Sequence, residues 1–398
     1  MSRLVPKLRF KEFSGEWEER KLGGVVKFLD GKRKPIKESD RANMQGEYPY
    51  YGASGIIDYV NDFIFDEDII LLSEDGENIV SRNLPLVFKV AGKSWVNNHA
   101  HVLKPQKLHK LDFLVQYMEN LSYVRYNSGG AQPKLNQAVC KTIPLILPIP
   151  KEQQKIASCL SSLDSLIEAQ NKKVSALKQH KKGLMQQLFP AEGEREPKLR
   201  FKAFSGAWVE KKLGDVGSFK SGVGFTEFEQ GGKLGVPFFK VSDMNLESNQ
   251  KVMTLANNYV SDEQIARLNY KPINKKSVIF AKVGAAVFLE RKRVADSFLI
   301  DNNMMAFTPI THIDFIRQWF DTVKLSKYAQ VGALPSYNAS DLKIIKIKLP
   351  KPKEQQKIAN TLSTLDNLIE AQNQKIAQLK QHKKALMQQM FVSNEVGA

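Results

Sequence analysis

A chain of 398 residues is long for one domain, and 42% hydrophobic residues are enough for two or three real cores. A formal charge of +17 points to a polyanionic partner, nucleic acid first and an anionic membrane second. No apolar run approaches about 18 residues, MSRLVPKLRF lacks a signal-peptide apolar region, and Cys140 and Cys159 give neither a disulfide framework nor a zinc site, so the expectation is a soluble, cytoplasmic protein.

The chain reads as a duplication. Pro6 to Val25 (PKLRFKEFSGEWEERKLGGV) returns at Pro197 to Val216 (PKLRFKAFSGAWVEKKLGDV). The stretches that follow, about Phe28 to Pro105 and Phe219 to Pro309, diverge almost completely and read mainly as β. In the first, strands are expected at 68–73, 84–90 and 94–103, with turns at Glu74-Asp75-Gly76 and Ala91-Gly92-Lys93. In the second they are expected at 236–242, 277–283, 285–289 and 297–308. Similarity then resumes. LDFLVQYMENL at Leu111 corresponds to IDFIRQWFDTV at Ile313, with helical spacing after Asp112 and Asp314, and GAQPKLN at Gly130 matches GALPSYN at Gly332. Strand-like runs at 142–147 and 342–349 lead into the most regular part of the sequence.

That part is KEQQKIASCLSSLDSLIEAQNKKVSALKQHKKGLMQQLF from Lys151, repeated from Lys353 with 29 of 39 positions identical. Neither copy contains Pro, so each is expected to form one helix of roughly 55–60 Å. A heptad seam runs Ile156, Leu160, Leu163, Ile167, Gln170, Val174, Leu177, Lys181, Leu184, Leu188, and keeps its register from Ile358 to Met390. So narrow a stripe needs a partner, and the other copy is the most available. The expected fold is therefore α+β: two pseudo-twofold-related, mixed β-rich domains joined by two long antiparallel coiled-coil helices, divided as 1–150, 151–190, 191–350 and 351–398. If the second helix runs antiparallel to the first, it ends back at the first domain.

Two basic modules at a fixed spacing suit a bipartite DNA reader. Candidate contacts are the loop Lys32, Arg33, Lys34, with a solvated turn as the plainer reading; Tyr51 and Ser54, where Tyr packing is the alternative; and Lys134. In the second half they are Lys240, Ser242 and Asp243, with an Asx turn as the alternative, Lys282, and Arg291, Lys292, Arg293 at an expected hairpin tip. His99 and His101 on one strand face are a weak metal pair without a third ligand, so no metal site is assigned. Asp262 with Glu290-Arg291-Lys292 matches a nuclease set only loosely, and a charged turn explains it better. Nucleotide P-loop, dinucleotide, zinc-protease and adenine-methyltransferase signatures are absent. Residues alone thus lead to a two-domain DNA-binding scaffold without chemistry of its own.

PKLRF…W…KLG before each domain, Gly-Ala-x-Pro-x-x-Asn before each closing strand, Pro-x-x-Glu-Gln-Gln-Lys-Ile-Ala opening each helix, and Asn97 to Leu103 (NNHAHVL) together resemble the specificity (S) subunit of type I restriction–modification systems over nearly the whole chain. The resemblance implies two target-recognition domains, each binding one half of an asymmetric, gapped DNA sequence. It implies helices that set the gap and dock two methyltransferase (M) subunits, with Leu166, Ala169, Leu368 and Ala371 as candidate contacts; widening of the helix seam is their other reading. It implies no cofactor in this chain, S-adenosylmethionine in M, and ATP and Mg in restriction (R) subunits joining an M2S complex. A free-standing sequence-specific DNA-binding protein is the alternative, and a nuclease is disfavoured for want of a carboxylate cluster.

Overall fold

The computed structural model describes residues 4–330 and 334–392, so Gly332 and Ala333 of the second Gly-Ala-x-Pro motif lie outside the described residues. Two compact units form, residues 1–172 with 374–398 and residues 173–373. The division falls inside both long helices, Pro150–Leu188 and Pro352–Met390. Seam burial is the reason: the two ends of each helix bury their apolar residues in different cores.

Unit one is built on a four-stranded antiparallel sheet in the order Val26–Phe28, Ala100–Pro105, Ile69–Ser73, Val87–Val90. The central strand IILLS is apolar on both faces and wholly buried. Ile70 and Leu72 face the core formed with helix Leu111–Glu119, whose Phe113, Leu114, Tyr117 and Met118 line one side. Ile69 and Leu71 face a second sheet through Phe65 and Val96. That sheet runs Gly55–Val60, Gln45–Gly52, Lys93–Val96, Phe65–Asp66, with its middle pair parallel. Gly92, at a φ of 65°, turns the chain from one sheet into the other.

Unit two repeats this topology with different residues. Its first sheet is Gly217–Ser221, Met304–Pro309, Ser277–Ala281, Lys292–Ala295, all antiparallel. The second is Tyr259–Val260, Val236–Phe239, Leu299–Ile300, with the last pair parallel. SVIFA takes the place of IILLS and is likewise buried throughout. Ala285–Leu289, expected as a strand, is instead a 3-10 turn entered at Gly284 (φ 79°) and left at Glu290 (φ 51°). A short apolar run carries no periodicity that separates these states. The expected strands 94–103 and 297–308 are each broken, at Asn97–His99 and at Asp301–Asn303.

The repeated motifs fix each unit to its helix ends. Arg9 donates through Nε and Nη2 to both oxygens of buried Glu152, each at 2.8 Å, and through Nη1 to the Gly15 carbonyl at 2.5 Å. Arg200 does the same to Glu354 at 2.9 Å twice and to Gly206 at 2.6 Å. Such bidentate charge-assisted pairs are strong and directional. The Leu8 N–H donates to the Gln389 carbonyl (2.9 Å) and the Leu199 N–H to that of Gln187 (3.0 Å). Each PKLRF thus ties the start of one long helix to the end of the other within its own unit. The Gly of each KLG sits in a close approach: a Cβ at Gly23 would meet Lys141 Cβ at 3.0 Å, and at Gly214 would meet Lys343 Cβ at 3.1 Å, so the lysine would have to shift slightly.

Within unit one, Ile156 and Leu160 share a core with Met390 and Phe391, while Lys383 Nζ lies 2.7 Å from both Asp164 oxygens. Numbers rise along one helix as they fall along the other, so the paired segments are antiparallel. Unit two repeats the arrangement with Leu188, Ile358 and Leu362, and with Lys181 Nζ 2.6 Å from Asp366. Two of the polar seam positions are therefore ion pairs across the seam. At the other two, Gln170 and Gln372, Oε1 is buried without a hydrogen-bond partner.

Candidate nucleic-acid interface

Five turns of unit one gather beside the end of Ile69–Ser73, joined by backbone bonds. The Asn97 N–H donates to the Tyr51 carbonyl (3.0 Å), Glu74 N–H to His99 (2.9 Å), Leu135 N–H to Glu74 (2.7 Å), and Lys34 N–H to Val96 (3.2 Å). This brings Asp30–Lys34, Tyr51–Ser54, Glu74–Gly76, Asn97–His99 and Pro133–Leu135 to one edge. Of the predicted residues here, Lys32, Lys34 and Ser54 are exposed. Lys34 Nζ also stands 6.0 Å from the Trp95 ring centroid. Tyr51 is half-buried against Phe88, with ring centroids 6.0 Å apart. Burial, with Tyr59 nearby, raises the Tyr51 hydroxyl pKa.

Arg33, a candidate contact in the sequence, is engaged within its own unit. Its Nη1 donates to Glu74 at 2.5 Å and to the Ala100 carbonyl at 2.8 Å. Lys134 Nζ also approaches Glu74, at 3.3 Å. Beneath them His101 is buried, its Nδ1 2.7 Å from Asp30 and its Nε2 donating to the Leu135 carbonyl at 2.7 Å. Burial alone would lower the His101 pKa. Hydrogen bonds with Asp30, Cys140 and the Leu135 carbonyl outweigh it and raise the pKa to about 10. Burial would raise Asp30, but His101, the Val102 N–H and Gln137 hold it below the usual carboxylate range. His99 faces a separate carboxylate, Asp75 at 2.9 Å, so the two histidines share no ligand geometry. Among the described residues no group of three His, Cys, Asp or Glu is arranged to hold a metal.

Unit two forms the same edge. The Asp301 N–H donates to the Phe239 carbonyl (3.0 Å), Lys282 N–H to Asn303 (2.8 Å), and Tyr337 N–H to Lys282 (3.2 Å). Ser242 is exposed and Lys282 partly so. Lys240 donates to Gln230 at 2.9 Å. Asp243 is fully buried, accepting from the Lys240 N–H at 2.7 Å and from Asn257 Nδ2 at 2.6 Å. It closes a turn, the alternative open at the sequence level, and does not face outward.

The triplet Arg291, Lys292, Arg293 is not a hairpin tip, because Lys292 already lies in the strand paired with Ser277–Ala281. Lys292 is 4% exposed and donates to Glu290 (2.5 Å) and the Val323 carbonyl (3.0 Å). Arg293 donates through Nε to the Asn249 carbonyl at 2.8 Å, and burial lowers its pKa. Arg291, bonded to the Asn245 side chain, stays partly exposed. Glu290 accepts from Lys292 and from the N–H groups of Leu325 and Ser326, which accounts for the loose nuclease resemblance as scaffolding. On the long helices, Leu166 (40%) and Leu368 (41%) are exposed, as are Ala169 and Ala371, so this face is not part of the seam.

Sequence reasoning missed the turns Asn97–His99 and Asp301–Asn303, each set inside an expected strand. Their signal was available: two or three consecutive Asn/Asp residues interrupting an apolar run favour an Asx turn.

Comparison with known proteins follows the same division. The model of the type I restriction modification DNA specificity domain matches residues 14–179 and again 206–381. The chain is 26% identical over 423 residues to the type I restriction enzyme MjaVIII specificity subunit of Methanocaldococcus jannaschii, covering 95% of this chain and 94% of that one. In fold it is similar to the crystal structure of the type I restriction–modification S subunit from M. genitalium, with TM-score 0.61, 15% identity, and 98% and 99% of the two chains covered. It is similar too to a chain from a structure of the type I R-M system, with TM-score 0.57, 16% identity, and 97% and 100% covered. Two differently worded edges on one repeated frame, matched twice by one family model, make this chain a member of the type I restriction–modification DNA specificity family.

Proposed function

We propose that the chain gives a type I restriction–modification complex its DNA sequence specificity, each unit binding one half of a bipartite, asymmetric site. The observation carrying this reading is the pair of edges: the same backbone bonds recur in both units while the side chains presented differ. A shared frame with unlike surfaces suits two unlike half-sites, and the charge of +17 suits a DNA partner. Exposed lysines 32 and 34 in unit one, and Lys282 and Arg291 in unit two, are the proposed backbone contacts. The paired helices set the gap between half-sites. Their near-identical outer faces at Leu166/Ala169 and Leu368/Ala371 dock two copies of one methyltransferase subunit, since equivalent surfaces fit equivalent partners. S-adenosylmethionine is then bound by M, and ATP and Mg by R subunits recruited through M2S. This chain is non-catalytic and works on DNA in the cytoplasm; among its described residues no helix is long and apolar enough to cross a membrane.

Sequencing methylated adenines in genomic DNA with and without the gene tests the proposal. One gapped, bipartite motif should lose methylation on deletion. An unchanged methylome, with tight specific DNA binding by the chain alone, favours the free-standing DNA-binding protein instead.

A further inference from the structure

The frame places one residue in each unit at an equivalent and unusual position. In unit one the Asn97 side chain accepts the His99 N–H (2.8 Å), and the His99 carbonyl accepts the Glu74 N–H (2.9 Å). In unit two the Asp301 side chain accepts the Asn303 N–H (3.1 Å), and the Asn303 carbonyl accepts the Lys282 N–H (2.8 Å). Both turns start from the strand of the second sheet that makes its parallel pair and lead into the long strand of the first sheet. Each is therefore held at both ends by buried structure, and each presents two polar side chains: Asn98 and Asn302 are exposed alike, and beside them His99 and Asn303 are exposed and unlike. The backbone device is shared and the chemistry presented at His99 and Asn303 is not.

The two side chains are also oriented. His99 Nδ1 lies 2.9 Å from Asp75, and Asn303 Nδ2 donates to Asp301 at 3.4 Å. A carboxylate on Nδ1 selects the tautomer with hydrogen there, leaving Nε2 of the neutral ring as an acceptor. Asn offers a donor and an acceptor together. Side chains fixed at a rigid edge, with hydrogen-bonding atoms outward, are what base-edge readout in a major groove requires.

Building on the proposed function, we infer that His99 and Asn303 are specificity-determining residues at matching positions of the two units. His99 accepts from an exocyclic amine of adenine or cytosine in one half-site, and Asn303 pairs with adenine in the other.

The test uses the native complex in its source cell, with His99→Ala, His99→Gln and Asn303→Ala introduced separately and methylated motifs read by genomic sequencing. His99→Ala should reduce discrimination roughly tenfold at a single base position of one half-site, leaving the other half-site and the gap intact. Asn303→Ala should do the same in the opposite half-site. His99→Gln, which restores an acceptor, should recover part of the lost preference; this separates readout from misfolding, as does an unchanged level of complex. A bipartite wild-type motif that survives base for base in both Ala variants overturns this inference alone. Relaxation spread over both half-sites also overturns it. A wild-type methylome without any bipartite motif overturns the functional reading and this inference with it.

Discussion

Unit one and unit two share a frame and differ in what fills it. At the strand position opposite Leu72, unit one buries His101; opposite Phe280, unit two buries Met305. Around His101 stand Asp30, Arg33, Glu74 and Lys134, a network of charge under the edge. In unit two the corresponding place is held by the Tyr337 hydroxyl donating to the Ala281 carbonyl at 2.5 Å. The contact with the paired helices differs as well. Gln116 donates to Asp164 at 2.8 Å in unit one, whereas Arg317 reaches Asp366 at 3.4 Å and Asp321 at 2.8 Å in unit two. The lesson is that main-chain bonds and a doubly buried central strand carry the architecture, so the side chains of the edge are left to vary.

The largest expected effect tests what the units share. Glu152→Ala and Glu354→Ala each leave a largely buried guanidinium, Arg9 or Arg200, without its carboxylate and should each cost about 3 kcal/mol of unfolding free energy. Denaturant unfolding measures both. Equal losses support equivalent frames, and a loss in only one unit breaks the comparison.

Next come two lysines predicted alike from sequence and placed differently by the fold. Lys292→Ala should destabilise unit two by about 2 kcal/mol, because Glu290 loses its buried cation. Lys32→Ala should leave stability unchanged and lower the salt dependence of DNA binding by about one ion. A salt titration of binding beside thermal unfolding distinguishes them; reversed outcomes would mean the burial pattern is wrong.

The last effect is pH-dependent. The His101 pKa is raised from 6.5 to about 10, so its contribution is complete below about pH 6.5 and is lost as pH rises through 10. Asp30, lowered, contributes above its ordinary value and loses that as pH falls. Unit one should therefore weaken between pH 6.5 and 10 in a way that His101→Gln abolishes. Unit two, with Met305 in that place, lacks this component. Hydrogen exchange of the two central strands across that range checks it.

Much of this was legible in the residues. The long helices were, because Ile156, Leu160, Leu184 and Leu188 keep one heptad phase and no Pro interrupts it. The roles of PKLRF and Glu-Gln-Gln were visible only as repetition, since nothing local says that Arg9 and Glu152 meet across 143 positions. The edges were read by charge, and charge alone does not show that a carboxylate distant or adjacent in sequence captures the cation at Arg33 and Lys292. That the halves share a fold was legible from their flanking repeats, but which strand answers to which inside the divergent stretches was not. IILLS and SVIFA share no pattern beyond being apolar, and that is all a doubly buried strand requires.

The central claim is that two separable frames present independent reading edges. Replacing residues 27–130 with the corresponding stretch of another family member, then sequencing the methylated motif made by the complex, tests it most directly. The account predicts that one half-site changes while the other half-site and the gap stay as they were; altered bases in both halves would contradict it.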